Sequence, residues 1–114
     1  MSKASDLGKL ADVAQLILDH RLGQLRSAAA ELERSSMQLA ALNQPPSPQL
    51  DLEPMTAEKV ARAYDRWSDV RRAELNLVMA RQTADWIEAR AEAQTAFGRV
   101  QALQGLATRL KNNR

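Results

Sequence analysis

The sequence has no cysteine, a single histidine and very few aromatic residues. Without cysteine there is no disulfide framework, no thiolate metal site and no thiol nucleophile, and a disulfide-free chain suits the cytoplasm. His20 is the sole imidazole and cannot build a metal site alone. Asp12, Asp19 and Arg21 are near it in the sequence, but consecutive residues do not face one another on a helix, so His20 reads as a solvated surface group. Aromatic residues make up 4% of the chain (Tyr64, Trp67, Trp86 and Phe97), whereas hydrophobic residues make up 45%, most of them Ala and Leu. A compact core would draw more on Phe, Tyr, Ile and Val, so the apolar surface here is spread along rods. No apolar run approaches the ~20 residues that span a bilayer. The opening MSKASDLGKLADVAQ lacks the continuous apolar core of a signal peptide. No nucleophile–base pair and no phosphate-binding loop is present, so an enzyme is not expected, nor a cofactor or metal. The 16 Lys and Arg exceed the 14 Asp and Glu only slightly. That balance, without interleaved aromatics or a one-sided basic stripe, argues against a nucleic-acid partner.

Helix breakers are confined to one window. All four prolines lie between residues 45 and 54, in the stretch from Asn43-Gln44-Pro45-Pro46-Ser47-Pro48 to Pro54. Proline cannot continue a helix and biases the preceding residue away from helical geometry. The spacing predicts a first helix over about 5–42, a Pro-rich turn over 43–55 and a second helix over about 56–112. Ser5 or Asp6 and then Thr56 are the expected N-caps, with Asn43 as the stop of the first helix. Glu58 near the start of the second helix, and Arg109 and Lys111 near its end, complement its dipole.

Heptad periodicity is the stronger signal. In the first helix Leu18, Leu25, Leu32 and Leu39 recur every seven residues, with Leu22, Ala29 and Ser36 at the +4 positions and Ile17 and Leu42 flanking. In the second helix the steps alternate four and three through Leu75, Met79, Gln82, Trp86, Ala89, Ala93, Ala96, Val100, Leu103, Ala107 and Leu110. Gln82 is the only polar member. Upstream, Val60, Tyr64, Trp67 and Val70 or Arg71 continue an apolar stripe, connected to Leu75 by a four-residue insertion, a stutter that locally unwinds a supercoil. The expected fold is all-α: an antiparallel two-helix coiled-coil hairpin in a single domain, with the longer helix at the C-terminus. The alternative is two helices placed in separate molecules of a larger bundle.

The predicted helices are unequal, about 57 Å and about 85 Å at 1.5 Å per residue. Folding at residues 43–56 sets Ser5 opposite about residue 94 and leaves a C-terminal overhang without a partner. The seam nevertheless continues there, widened by Phe97 and Leu106. Exposed contiguous apolar surface usually marks a binding site, so Phe97, Val100, Leu103, Leu106, Arg109 and Leu110 are candidate partner-binding residues. The bland reading is that the overhang frays or that the first helix starts earlier. At the tip, Leu42, Val60 and Tyr64 form either a second contact patch or, with Leu50, Leu52, Met55 and Trp67, a small local core. Gly98 and Gly105 share a face with Ala91 and either admit another backbone or merely loosen the helix. Lys3, Lys9, Arg109, Lys111 and Arg114 gather at the open end, where they face an acidic partner or only solvent. Arg71 and Arg72, matched by Glu74 and Asp69, read as surface ion pairs of little energetic weight.

The long helix LADVAQLILDHRLGQLRSAAAELERSSMQLAAL, the Pro-containing turn and the closing WIEARAEAQTAFGRVQALQGLATRLKNN resemble the FliJ family and its injectisome counterparts. These are small stalk proteins of bacterial type III export. The resemblance spans most of the chain, with its best local match at Trp86, Glu88, Ala89, Arg90, Gly98-Arg99 and Leu103. It implies an antiparallel coiled coil similar to the central stalk of rotary ATPases. The paired termini, with the six C-terminal candidates, would enter a hexameric export ATPase. Leu42, Val60 and Tyr64 would face the export-gate protein, and other surfaces would meet chaperones. The place implied is cytoplasmic, at the inner-membrane export apparatus, and the mechanism is mechanical coupling and ring assembly. The competing expectation is a structural protein that self-associates by pairing the overhangs of two chains.

Overall fold

The computed structural model describes residues 2–44 and 53–113. Their secondary structure is two α-helices, α1 (Lys3–Leu42) and α2 (Pro54–Asn112). The α1 helix starts two residues before the expected Ser5. The Ser2 hydroxyl accepts from the Ser5 amide at 3.2 Å, so Ser2 supplies the N-cap. Asn43 follows the last helical residue as expected, its amide donating to the Ala40 carbonyl at 3.1 Å. The α2 helix opens on Pro54 instead of after Thr56, because proline is tolerated at the first helical position, where its missing N–H has no partner to lose. The Glu53 carbonyl accepts the first helical bond, from the Ala57 amide at 2.8 Å. Glu58 then falls beyond the first turn and pairs with Arg62 one turn on. The turn residues Pro45, Pro46, Ser47, Pro48, Leu50 and Leu52 lie outside the described residues.

The chain divides into two compact units, residues 1–30 with 84–114, and residues 31–83. In the first unit, Ala14 and Leu18 of α1 pack with Ala96 and Val100 of α2, flanked by Leu22 and Leu103. The partners of successive α1 residues fall ever earlier in α2. Ala4 shares a hollow with Ala107, Leu110 and Lys111, Leu10 shares one with Leu103, and Arg21 bonds Glu92 at 2.8 Å. Small residues at Ala14, Ala93 and Ala96 are what let the backbones approach.

Among the described residues of the second unit the buried side chains are Ser35, Leu42, Ser68 and Leu75. The α1 segment ends beside Arg72, about a third of the way along α2: Arg72 donates to the Leu42 carbonyl at 3.1 Å and to the Asn43 side chain at 3.1 Å. Arg71 reaches Gln38 at 3.5 Å.

Four sequence expectations change here. Leu22 packs on the apolar cluster as a +4 seam residue, but after Leu25 the alternate seam positions of α1 are the +3 residues. Ser35 is buried and Ala28 half-buried, while Ser36 and Ala29 are exposed. Leu42 belongs to the buried face, whereas Ile17 is largely exposed. The stripe before Leu75 has other members than expected: Tyr64, Ser68 and Arg71 carry the burial, while Val60, Trp67 and Val70 are exposed, and the steps through Leu75 to Met79 are four, three, four and four, so the four-residue insertion falls at Leu75. Lastly, the C-terminal overhang is absent. The length count assumed that α1 returns against the first turn of α2. The contacts set Leu42 beside Arg72 instead, so the surplus of α2 lies at its N-terminal end, before Arg72, and residues after 94 find α1 as a partner. The α2 seam from Leu75 to Leu110 is buried or half-buried throughout except at Ala107, which is exposed.

Candidate functional site

The six C-terminal candidates separate into two sets. Val100 is buried against Ala14 and Leu18, and Leu103 packs on the same cluster. Leu110 is half-buried and lines a hollow of about 410 Å³ with Leu106, Lys3, Leu7 and Leu10. Leu103, Leu110 and Val100 thus work first to join α2 to α1. Phe97 and Leu106 keep about half of their surface in water, at 51% and 48%, and Arg109 is exposed. These three are the members free to meet another molecule.

The tip candidates separate in the same way. Leu42 is buried, and its carbonyl is occupied by Arg72, which removes it from any contact surface. Tyr64 is half-buried with its ring 5.8 Å from that of Trp67. Val60, Trp67 and Met55 are exposed. The exposed tip surface is therefore Val60, Trp67 and Met55 around the edge of Tyr64.

A further apolar hollow was not singled out by sequence. On one side of the first unit, Leu10, Val13 and Ile17 of α1 and Ala96, Arg99, Ala102 and Leu103 of α2 border an open trough of about 350 Å³ with an almost wholly apolar wall. Leu10 also borders the neighbouring hollow that holds Leu106 and Leu110, so the two run together. The Arg21–Glu92 ion pair is the next polar link between the helices beyond Ile17. The spacing of Leu10, Val13 and Ile17, three and then four residues, was the available signal. A single seam read through the leucines at every seventh position hides a second stripe beside it.

The polar features are those of a helix surface. His20 is exposed. Arg71–Glu74 and Arg72–Asp69 form at 3.2 Å and 2.9 Å, as their spacing implies, and Arg90 lies over the Trp86 ring at 5.5 Å. Lys3 and Lys111 each border one of the hollows between the chain ends, and Lys9 and Arg109 are exposed. Arg114 lies outside the described residues. Gly98 and Gly105 face open space. Among the described residues no group of three or more His, Asp or Glu side chains is arranged to hold a metal ion, and no helix is long and apolar enough to cross a membrane. No family model, curated protein or solved structure matches the chain.

Proposed function

We propose that this chain is a non-enzymatic stalk of a flagellar-type or injectisome protein export apparatus. In this reading it is an antiparallel two-helix coiled-coil hairpin whose paired ends enter a hexameric export ATPase. The observation that carries the reading is the joining of the two chain ends. Residues 3–18 and 96–113 pack into one helical pair that still presents Phe97, Leu106 and Arg109 outward. A pore-inserted stalk needs those two properties together, a rigid end and side chains free to meet the ring. The heptad burial along α2 and the resemblance of its closing segment to FliJ-type sequences point the same way.

The roles follow from exposure. Phe97 and Leu106 supply apolar contact with the ring lumen, and Arg109 supplies charge. Val100, Leu103 and Leu110 hold the pair together and act through rigidity. At the other end Val60 and Tyr64, with Trp67 beside them, meet the export gate, and exposed helix faces are left for chaperones. The mechanism is transmission of ring motion and promotion of ring assembly, with no bond made or broken on this chain, in the cytoplasm at the inner membrane.

The test is addition of the purified chain to the hexameric export ATPase of the same genome. The expected result is a one-to-six complex with raised ATP turnover. Phe97→Ala and Leu106→Ala should weaken both effects, and Ile87→Ala, an exposed position in neither candidate set, should leave them intact. An ATPase whose assembly and turnover ignore the chain would overturn the reading.

A further inference from the structure

The face of α2 turned away from α1 carries an inference that does not rest on the export reading. We propose that it is a second coiled-coil seam, and that it pairs antiparallel with the same face of a second copy of this chain.

The reasoning starts from periodicity. Along the uninterrupted helix α2, Val70, Ala73, Leu77, Ala80, Ala84 and Ile87 stand at alternating steps of three and four, the spacing of a heptad seam. Ala91 extends the series, and Arg66 and Gln94 occupy the next positions at its two ends. Leu77, Ala84 and Ala91 each lie two residues after a member of the seam already described, Leu75, Gln82 and Ala89. Two residues turn an α-helix by about 200°, so the stripe points away from α1. The seven residues from Val70 to Ala91 are all exposed, the large ones, Val70, Leu77 and Ile87, at 60%, 60% and 57%. A solvated helix face carries polar residues, whereas this stripe holds none from Val70 to Ala91.

The charges beside the stripe identify what covers it. One flank reads Asp69, Asn76, Thr83 and Arg90, and the other reads Glu74, Arg81 and Glu88. In an antiparallel pair each flank meets the same flank of the other copy. A two-fold axis between Leu77 and Ala80 sets Val70 on Ile87, Ala73 on Ala84 and Leu77 on Ala80. The same register sets Asp69 against Arg90, Glu74 against Arg81 and Asn76 against Thr83, each twice by symmetry. Every charge-on-charge contact is attractive, and Glu88 falls level with Trp67. Sliding one copy by a heptad sets Glu74 against itself in one direction. In the other it sets Arg81 against itself and Glu74 against Glu88. Sliding by two heptads places Leu77 on Arg66 or Gln94. A parallel pair sets Asp69 against Glu74 across the seam. Charge complementarity therefore selects one occupant and one register. The groups are available for it. Asp69 and Glu74 pair only with Arg72 and Arg71 on their own helix and keep 75% and 58% of their side chains in water, and exposed pairs of this kind are weak. Among the described residues Arg81 is in no ion pair, and Arg90 rests on the Trp86 ring.

Sedimentation equilibrium at micromolar concentration is the first test, and the wild-type chain should be a dimer. Leu77→Glu, which puts a carboxylate into the seam, should raise the dimer Kd by about tenfold or more. Circular dichroism should report unchanged helix content, since Leu77 is exposed within its own copy. Leu16→Glu, at an exposed position of α1, should leave the dimer intact. Register is tested by charge. Glu74→Arg alone sets Arg against Arg81, and Arg81→Glu alone sets Glu against Glu74, so each variant should dimerise about threefold or more weakly than wild type. An equimolar mixture of those two variants restores both attractive pairs and should recover the wild-type affinity. Orientation is tested by disulfide trapping, which is clean because the chain has no cysteine. Val70→Cys mixed with Ile87→Cys should cross-link. Val70→Cys alone should not, because its two copies lie about 26 Å apart along the antiparallel pair at 1.5 Å per residue. A wild-type monomer, a dimer indifferent to Leu77→Glu, a charge-swapped mixture no tighter than its components, or cross-linked Val70→Cys homodimers would each overturn the proposal. Loss of the ATPase effects with retention of the dimer would count against the export reading alone.

Discussion

The first unit holds its two helices together with carbon, and the second relies far more on polar atoms. In the first, Ala14, Leu18, Ala96 and Val100 form an apolar cluster. In the second, two of the four buried side chains among the described residues are serines, and the Ser68 hydroxyl and the Gln82 carbonyl oxygen are buried with no hydrogen-bond partner. The threonines at 83, 95 and 108 satisfy their hydroxyls on the carbonyl one turn back, which Ser68 does not. The second unit compensates with Arg72, whose guanidinium reaches both Leu42 and Asn43. Two stretches of the same pair of helices thus follow different rules. Apolar seams provide strength, while buried polar atoms cost stability and discriminate between registers, since sliding one helix along the other would expose or strand them.

The largest expected effect breaks the stronger side. Leu18→Ala should destabilise the chain by about 2–4 kcal/mol in urea unfolding, because it empties the centre of the apolar cluster. Leu75→Ala, at a buried site in the unit that also buries Ser35 and Ser68, should cost less, and equal losses would erase the distinction between the units. Next in size, Ser68→Ala should stabilise the fold by about 1 kcal/mol by removing an unsatisfied buried hydroxyl, read as a rise in the urea midpoint. Gly98→Ala and Gly105→Ala should each add up to about 1 kcal/mol, because both sites open onto free space and glycine costs a helix interior that much. The smallest effect belongs to the Arg21–Glu92 pair, whose side chains are 36% and 41% exposed. A double-mutant cycle should return about 0.2–1 kcal/mol, shrinking in high salt. Amide hydrogen exchange sharpens the contrast directly, with slower exchange expected around residues 14–18 and 93–100 than around 35–42 and 64–72.

The sequence made most of the second helix legible and rather less of the first. From Leu75 to Leu110 apolar residues stand at steps of four and three over eleven positions with Gln82 the one polar member, so the buried face could be traced almost to its end. In α1 the leucines at every seventh position were clear, but the residues between them were not. Ala28 competes with Ala29, and Ser35 with Ser36, and neither member of a pair is more apolar than the other. Packing against α2 decides such ties, and a single helix carries no record of it. Upstream of Leu75, the bulk of Trp67 and Val70 drew attention to the wrong stripe, while a serine and an arginine kept the true one. Register was the least legible property. The number of residues in a turn does not say where the second helix first meets the first, and that error placed the surplus of α2 at the wrong end. Of the candidate residues, Phe97, Leu106 and Arg109 remain exposed, whereas Val100 and Leu103 are held by α1.

The grip of Arg72 on Leu42 has a consequence for how the chain acquires its structure. The last turn of α1 contains no Lys or Arg, so the positive charge that a helix C-terminus favours is lent by a residue 30 positions downstream. The instruction to stop the first helix is thus written in the second. A peptide ending at Gln44 would carry every α1 residue and still fray at its last turns, and a ribosome must have made Arg72 before that end of α1 can be fixed.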